Sequence, residues 1–313
     1  MRVFYDLNNL AIFRNAVVTI GSFDGVHLGH QKIIEQLKIE AAAIGGESVI
    51  ITFHPHPRKI LSSHKNPLFL LNTLAEKLHL LEKYGVENVV VAPFTEDFAS
   101  QTAEKYVQFF LVKKFHPHTI IVGHDHRFGK DRTGDYHTLE TYGEVLNFQV
   151  KEIPEKVVDE VGISSTKIRE ALQAGDVETA NQFLGYPYFF EGTVVKGNQL
   201  GRTIGFPTAN LCIEDADKLI PAVGSYAVKV FIKEKRFDGM LNIGTRPTIE
   251  ANSTLSIEVN IFDFDKNIYG EKIGVELIAH LRSERKFMNI MELMEQLVKD
   301  KTRVVSVLTS SNL

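Results

Sequence analysis

The sequence predicts an α/β protein with two modules: a parallel sheet flanked by helices, then a small antiparallel β-barrel that ends in a helix. The chain has 313 residues, a length typical of about two domains. Short apolar runs alternate with helical patterns through the first half, which is typical of a parallel sheet with right-handed crossovers. From Phe189 the segments are short and rich in β-prone residues without that alternation, which favours a barrel.

The first module is predicted from apolar runs and helical spacing. Strands are expected at 17–20, 48–53, 88–92, 119–123 and 147–153, and helices at 30–43, 73–84, 103–115 and 177–184. The helix at 73–84, for example, has Leu74, Leu78 and Leu81 on one face. Because ligands bind beyond the carboxyl ends of parallel strands, the loops after the first four strands are expected to meet at one edge of the sheet.

The second module is predicted to begin near Gly185, where Gly185-Tyr-Pro-Tyr188 separates the two patterns. We therefore expect modules at 1–185 and 186–313. Strands are predicted at 189–195, 225–232, 237–243, 256–262 and 272–281, and a helix is predicted at 288–297.

The composition limits the classes of function. Hydrophobic residues make up 44% of the chain and charged residues 24%, as in a typical globular protein. The net charge of −4 argues against a general electrostatic grip on nucleic acid. Cys212 is the single cysteine, which excludes an internal disulfide and a Cys-rich zinc site. The mixed N-terminus and the lack of a run of about 18 apolar residues predict a cytoplasmic protein without a membrane partner.

The first candidate site is a strand, a Gly-rich turn and a helix start at residues 17–34. Such an arrangement suits a phosphate, because unpaired backbone N–H groups at a helix start favour negative charge. His27 and His30 share one face of the first helical turn and can donate to phosphate oxygens. Alternatively, the two histidines are a chance pair on the surface or part of a metal site, although helices that bind zinc usually space their histidines at i, i+4. The candidate binding residues around the pair are Gly21, Phe23, Asp24 and Gly29.

Residues 163–172 form the second candidate. Ser164 or Ser165 can cap a helix whose first turns carry Thr166 and Arg169. A guanidinium suits phosphate because its fork offers paired donors. The alternative is an ordinary capped helix with exposed cations.

The third candidate is the Gly-rich string 196–211. Its glycines and cations can form a phosphate-binding loop, with Lys196, Gly197, Gly201, Arg202 and Gly205 as candidates. Thr208 and Asn210 offer oxygen ligands suited to Mg²⁺. The alternative is a barrel turn followed by a strand start. Downstream, Glu258 alternates with Ile257 and Val259 and faces away from them, as an ordinary solvent-facing carboxylate also would.

These strings resemble known families. His-x-Gly-His at 27–30 resembles the nucleotidylyltransferase superfamily. The longer Gly-Ser-Phe-Asp-Gly-Val-His-x-Gly-His at 21–30 is similar to the bacterial bifunctional riboflavin kinase/FAD synthetases. Ser-Ser-Thr-x-x-Arg at 164–169 and Gly-x-Pro-Thr-Ala-Asn at 205–210 resemble further signatures of that family, as do the segments 242–248 and 256–265.

The resemblance implies a Rossmann-like nucleotidylyltransferase domain and a riboflavin-kinase-type barrel. It implies that the barrel phosphorylates riboflavin with ATP and Mg²⁺ to give FMN, and that the first module transfers AMP from ATP to FMN to give FAD. His27, His30, Ser165 and Arg169 would then stabilise transition-state charge, and the hydroxyls at 164–166 together with Arg169 would hold the triphosphate. Glu258 would be the general base of the kinase step.

Three positions depart from the family pattern. His126 stands where an aromatic residue is frequent, in the Gly-x-Asp-x-x-Phe-Gly loop that also contains Asp125. Asn260 stands where His is common, and Ser283 stands where Pro is common. Two other functions remain open: an adenylyltransferase for another phosphorylated acceptor, and a non-catalytic flavin-binding regulator. The kinase-like strings argue against the first, and the intact candidate residues argue against the second.

Overall fold

A computed structural model describes residues 1–61, 68–153, 162–197, 199–246 and 254–310. By its internal contacts the chain divides into two units, Met1–Ser165 and Thr166–Leu313. The helical residues 166–184 belong to the second of these units. The domain boundary near Gly185 stays a prediction.

The first unit is built on a parallel sheet, as predicted. In the described residues its six strands are ordered β1-β4-β3-β2-β5-β6, and they are β1 (Arg2–Phe4), β2 (Val17–Ile20), β3 (Ser48–His54), β4 (Asn88–Pro93), β5 (Thr119–Gly123) and β6 (Gln149–Ile153). The edge strand β1 was not predicted, because three residues are too few to show a pattern. The strand order reverses between β2 and β5, where α/β sheets bind ligands.

Helices cover this sheet at α1 (Leu28–Ala43), α2 (Pro57–Leu61), α3 (Leu74–Lys83), α4 (Glu96–Ala99), α5 (Ala103–Lys105), α6 (Lys113–Phe115) and α7 (Tyr136–Leu146). A π-helical stretch, Tyr106–Val112, joins α5 to α6. The start of α3 has a capping box, in which Thr73 and Glu76 exchange side-chain-to-backbone hydrogen bonds. The helix α7 was not predicted, because its buried residues are only Leu139 and Gly143, a stripe too thin to give a helical period.

At the carboxyl edge of the sheet, aromatic side chains join the end of β3 to the segments after β4 and β5, which are three of the four places that were predicted to meet. Phe53, at the end of β3, packs edge-to-face on Phe94, which follows β4, with ring centroids 5.4 Å apart. Phe98 contacts Tyr106, and Tyr106 stacks on Phe128 in the loop after β5 at 5.0 Å. Aromatic pairs of this geometry stabilise beyond the area they bury. They hold the end of β3 and the segments after β4 and β5 against one another.

The second unit is a closed antiparallel barrel, again as predicted. Its strand order is β10-β11-β8-β7-β12-β9, with β7 (Phe189–Val195), β8 (Ala209–Cys212), β9 (Gly224–Ile232), β10 (Lys235–Arg246), β11 (Thr254–Ile261) and β12 (Lys272–Arg282). The other elements are α8 (Ser165–Ala174), α9 (Val177–Leu184), α10 (Leu200–Thr203) and α11 (Ile290–Ser310). The four-residue strand β8 was not predicted, because it follows Pro207 and its sequence is typical of a turn. The predicted helix at 288–297 continues to Ser310, since Asp300, Val304 and Leu308 carry its buried face further.

The helices α8 and α9 are tied to the barrel. The amide group of Asn181 in α9 donates to Leu277 O of β12 at 2.8 Å and accepts from the Tyr188 N–H at 2.7 Å. The Ala222 N–H donates to Leu172 O of α8 at 3.0 Å. None of the helices in the described ranges is long and apolar enough to cross a membrane.

Candidate active sites

The turn between β2 and α1 has an unusual backbone. Phe23 and Val26 have positive φ angles of 49° and 36°, and Gly25 has a φ of 86°. Left-handed conformations of non-glycine residues cost on the order of 1–3 kcal/mol each, so the surroundings must hold the turn in place. The turn leads directly into the N-terminus of α1, whose first turn contains no acidic residue. The N–H groups of a first helical turn have no partner within the helix, so this helix start suits an anion.

His27 and His30 come together at this helix start, as their spacing predicts. Their rings stack with centroids 3.8 Å apart and planes 20° from parallel. Burial, and next the neighbouring His27, lower the pKa of His30 well below 6.5. His30 is therefore neutral at neutral pH. Its Nδ1 is buried and has no hydrogen-bond partner among the described residues, as expected of an atom reserved for a ligand.

The other candidates of the first motif support the turn from within. The Phe23 ring is buried and lies 5.0 Å from the His30 ring. Gly21 leaves room for it, since a methyl group there would lie 3.2 Å from the Phe23 ring. The buried Asp24 carboxylate accepts from the Leu71 N–H at 2.9 Å. Gly29 is buried in the first turn of α1. Phe23 and Asp24 thus direct their side chains into the protein and position the backbone.

The second motif begins beside the first. The Ser165 hydroxyl donates to Asp24 O at 2.9 Å, so this serine anchors the turn, while Ser164 is half-buried. Thr166 is exposed and Arg169 is 8% exposed in α8, within the second unit. The Arg169 side chain is therefore no ordinary surface cation.

The loop after β5 contains Asp125 and His126. Asp125 is exposed. The His126 ring stacks on Phe128 with centroids 5.8 Å apart. Burial lowers the pKa of His126 to about 4, and its Nε2 has no hydrogen-bond partner in the part of the chain that the structure describes. The His126 side chain is thus a neutral ring that stacks on its aromatic neighbour.

The third motif and Glu258 meet on the barrel. Glu258 in β11 lies opposite Asn210 of β8 and Asn242 of β10. Its two carboxylate oxygens accept from the Thr208 hydroxyl at 3.2 Å and the Ser256 hydroxyl at 2.9 Å. The side chain is half-buried. Glu258 is thus a fixed acceptor inside a polar cluster, unlike a freely solvated strand carboxylate.

The Gly-rich loop passes directly over this cluster. A methyl group added at Gly197 would lie 2.3 Å from Asn210 Nδ2, and one at Gly201 would lie 2.2 Å from Phe206 O. Neither position has room for a side chain. Gly205 has a φ of 81°, which glycine adopts without strain. Beside the loop lies a cleft of about 380 Å³ whose lining includes Arg202 and Thr208.

The polar cluster suits a hard cation, since Thr208, Asn210 and Glu258 bring hydroxyl, amide and carboxylate oxygens together. In the described ranges no three His, Cys, Asp or Glu side chains lie together as a metal site. Lys196 is exposed beside Gly197. Of the segment 242–248, Pro247, Thr248 and the Arg246 side chain lie outside the described residues.

Two neighbours of these sites were not singled out from the sequence. Ser256 lies two residues before Glu258, so the period-2 rule places it on the same strand face. Lys77 lies within the apolar stripe of α3, three residues after Leu74 and four before Leu81. A lysine among the apolar positions of an amphipathic helix is the sequence signal that could have identified Lys77.

Two family models match different parts of the chain. The family model described as FAD synthetase matches residues 10–167, and the model described as riboflavin kinase matches residues 184–308. The histidine pair and Ser165 lie in the first match, and Thr208, Asn210 and Glu258 lie in the second. Arg169 follows just beyond the first match.

The chain is 40% identical over 294 residues to the bifunctional riboflavin kinase/FMN adenylyltransferase of Bacillus subtilis (strain 168), covering 93% of this chain and 92% of that protein. It is 39% identical over 287 residues to the protein of the same name from Listeria monocytogenes serovar 1/2a, covering 92% and 90%. Among solved structures it is similar to that of a protein named as a macrolide-efflux protein from Streptococcus pneumoniae, with a TM-score of 0.87, 32% identity, and coverage of 96% and 97%.

The name of the Streptococcus pneumoniae protein refers to efflux, whereas both family models and the curated relatives agree on flavin-nucleotide synthesis. The sequence matches run through both units in the same order, and both candidate sites lie inside or beside the matched ranges. The chain therefore belongs to the family of bifunctional riboflavin kinases/FMN adenylyltransferases.

Proposed function

We propose that this chain converts riboflavin into FAD in two successive reactions, each at its own site. The observation that carries this proposal is the presence of both family matches on one chain, each with a preorganised polar site. ATP, riboflavin and FMN are the ligands that we assign to it. Because these reactions consume ATP and the single Cys212 suits a reducing compartment, we place the protein in the cytoplasm.

The kinase step belongs to the barrel. A ribityl hydroxyl of riboflavin attacks the γ-phosphorus of ATP, the new O–P bond forms, and the bond to ADP breaks. The neutral hydroxyl must lose a proton, which Glu258 accepts as general base. The hydroxyls of Thr208 and Ser256 orient its carboxylate. The loop at 196–205 encloses the phosphates, with Lys196 and Arg202 as the nearby cations.

Mg²⁺ is the metal that fits the cluster. Thr208 and Asn210 would hold it together with the ATP phosphates, because both offer the oxygen ligands that this ion prefers. When bound, it neutralises charge on the transferring phosphoryl group.

We assign the adenylyl step to the motifs at 21–30 and 164–169. An FMN phosphate oxygen attacks the α-phosphorus of ATP, and the bond to the leaving pyrophosphate breaks. The nucleophile is already anionic, so no general base is required. His27 and His30 donate hydrogen bonds to the charge that builds at phosphorus. Ser164, Ser165, Thr166 and Arg169 hold the triphosphate, and Asp125 is a further candidate for ligand binding.

Separating the two reactions tests the proposal. The full-length protein is incubated with ATP and Mg²⁺ and either riboflavin or FMN, and the flavins are resolved by chromatography. We expect FMN and then FAD from riboflavin, and FAD with pyrophosphate from FMN. Pantetheine phosphate and nicotinate mononucleotide serve as control acceptors. Adenylylation of a control acceptor in preference to FMN, or flavin binding without turnover, would overturn the proposal.

A further inference from the structure

Lys77 is a buried cation beneath the turn that follows β2. It lies in α3 and is only 7% exposed. Its ammonium donates to Ser22 O at 2.9 Å and to the Thr52 hydroxyl oxygen at 3.1 Å. The Thr52 hydroxyl in turn donates to Ser22 O at 3.1 Å. Two donors from neighbouring elements therefore hold one carbonyl of the turn.

A buried ammonium that bonds to uncharged oxygens is costly for the fold. Burial lowers the pKa of Lys77 to about 8, although the nearby Asp24 carboxylate opposes this shift. A methionine would fill the same space in the apolar stripe of α3 without that desolvation cost. A lysine at this position therefore indicates a role that an apolar side chain could not perform.

The held carbonyl controls the direction of the turn. In a trans peptide the C=O and N–H groups point in opposite directions, so the Phe23 N–H points away from Lys77. The strained φ angles of Phe23 and Val26 follow immediately. Strained conformations persist only where the surroundings over-determine them. Lys77 and Thr52 hold the turn at the Ser22 carbonyl. Further along the turn, the Ser165 hydroxyl holds the Asp24 carbonyl, and the Asp24 carboxylate accepts from the Leu71 N–H.

We infer that Lys77 is a positioning residue for adenylyl transfer, which holds the Ser22–Val26 turn through the Ser22 carbonyl and places a positive charge beneath the bound phosphates. This inference rests on the proposed function of the first unit. Lys77 acts through the turn and through its field, without touching the nucleotide. The charge also reaches the histidine pair, since Lys77 is among the groups that lower the pKa of His30.

Four variants of the full-length protein test the role: K77M, T52V, the double variant, and K83M, which removes an exposed lysine from the same helix as a control. FAD formation from FMN and FMN formation from riboflavin are measured on each preparation. We expect K77M to lower kcat for FAD formation by about 10–100-fold and T52V by a few-fold, with the kinase rate unchanged in both. K83M should match the wild type.

The double variant tests whether both residues act through the same carbonyl. If they do, their effects are coupled, and K77M/T52V should be little worse than K77M alone. Fully multiplicative losses would overturn the shared role. If K77M does not fold, T52V carries the test, because it removes a donor to Ser22 O with little change in volume. An unchanged FAD rate in T52V would then count against the inference.

An imidazole titration separates positioning from general stability. With ¹³C-labelled histidine, the His30 midpoint should move up in K77M, because a nearby positive charge is lost, and should stay in place in T52V and K83M. An unmoved midpoint in K77M would overturn the electrostatic part. If the wild type makes no FAD, the proposed function fails, whereas the titration still decides the relation between Lys77 and His30.

Discussion

The Thr208 hydroxyl donates a hydrogen bond to the Glu258 carboxylate at 3.2 Å. This bond joins the end of the Gly-rich loop to the strand β11. The segment that we propose to bind phosphate and the carboxylate that we propose as general base are therefore positioned together. Ser256 holds the other carboxylate oxygen. Because a carboxylate with two donors is fixed in orientation, it can face the same hydroxyl in every turnover.

Glu258→Gln should damage the kinase reaction and spare FAD formation from FMN. The substitution keeps size and hydrogen-bonding capacity but removes the proton acceptor. General-base catalysis is worth roughly 10²–10⁴-fold, so kcat for FMN formation should fall in that range. Glu191→Gln, an exposed carboxylate on β7, is the matched control and should change neither rate. Wild-type kinase turnover in the Glu258 variant would refute the assignment.

Gly197→Ala and Gly201→Ala should both impair the kinase. The new methyl group would meet the Asn210 side chain in the first variant and the Phe206 backbone carbonyl in the second. A side chain can move more easily than backbone, so we expect the larger loss for Gly201→Ala. Gly274→Ala is the control, since its methyl group would lie at an ordinary 3.6 Å from Phe231. Steady-state FMN formation and the KM for ATP measure the effect, and equal activity in all three variants would contradict it.

His30→Ala should abolish most FAD synthesis and leave FMN synthesis nearly intact. Losing one preorganised donor to transition-state charge typically costs about 2.7–4 kcal/mol, or roughly 10²–10³ in rate. Both rates are measured on one preparation. Loss of both would indicate a folding defect, and an unchanged FAD rate would exclude a role for His30.

Acid should destabilise the first unit through His126. Its pKa is about 4 in the folded protein against 6.5 for the unperturbed group. The unfolded chain therefore binds the proton first, and stability is lost as the pH falls from about 6.5 towards 4. This one group should cost about 2 kcal/mol between pH 7 and pH 5. The lowered pKa of His30 acts in the same direction.

The measurement is amide hydrogen exchange of the first unit at pH 7 and pH 5. His126→Phe should remove most of the loss attributed to this residue. His137→Phe, at a side chain 84% exposed, should not. The same pH dependence in His126→Phe and wild type would show that His126 is not its source.

The kinase module should work alone but be more stable with its preceding helices. We propose that residues 186–313 contain the kinase activity and 1–185 the adenylyl module. A fragment starting at Gly185 should make FMN and no FAD, whereas one starting at Thr166 should also melt several degrees higher, because it keeps the bonds of Asn181 and Leu172 to the barrel. Identical melting temperatures would show that these bonds contribute little.

Much of the fold could be predicted because the buried strands are long apolar runs. Strands such as β3 and β9 are recognisable alone, whereas Arg2–Phe4 and Ala209–Cys212 depend on pairing with neighbours and show no pattern of their own. The same limit applies to α7, whose start is fixed by the Asp135 side chain accepting from the Thr138 N–H.

The candidate sites show a similar division. The spacing of His27 and His30 predicts that they share a face, and their rings do stack. Local sequence cannot predict that the Asp24 carboxylate serves backbone N–H groups 47 and 48 residues away. Nor does it predict that Lys77 lies under the turn, because that contact brings α3 to Ser22 and to Thr52 of β3, which are 55 and 25 residues away. Roles within a motif thus depend on partners far along the chain.

The attachment of α8 and α9 to the barrel has a consequence for protein engineering. Consider a chimera in which kinase modules are exchanged between relatives at residue 185. Asn181 would then come from one parent and its partner strand β12 from the other. Likewise, Leu172 and its partner Ala222 would come from different parents. A crossover placed between Gly162 and Ser165 keeps these hydrogen bonds within one parent. For recombination, the inherited block is therefore the barrel together with the two helices before it, and Arg169 travels with that block.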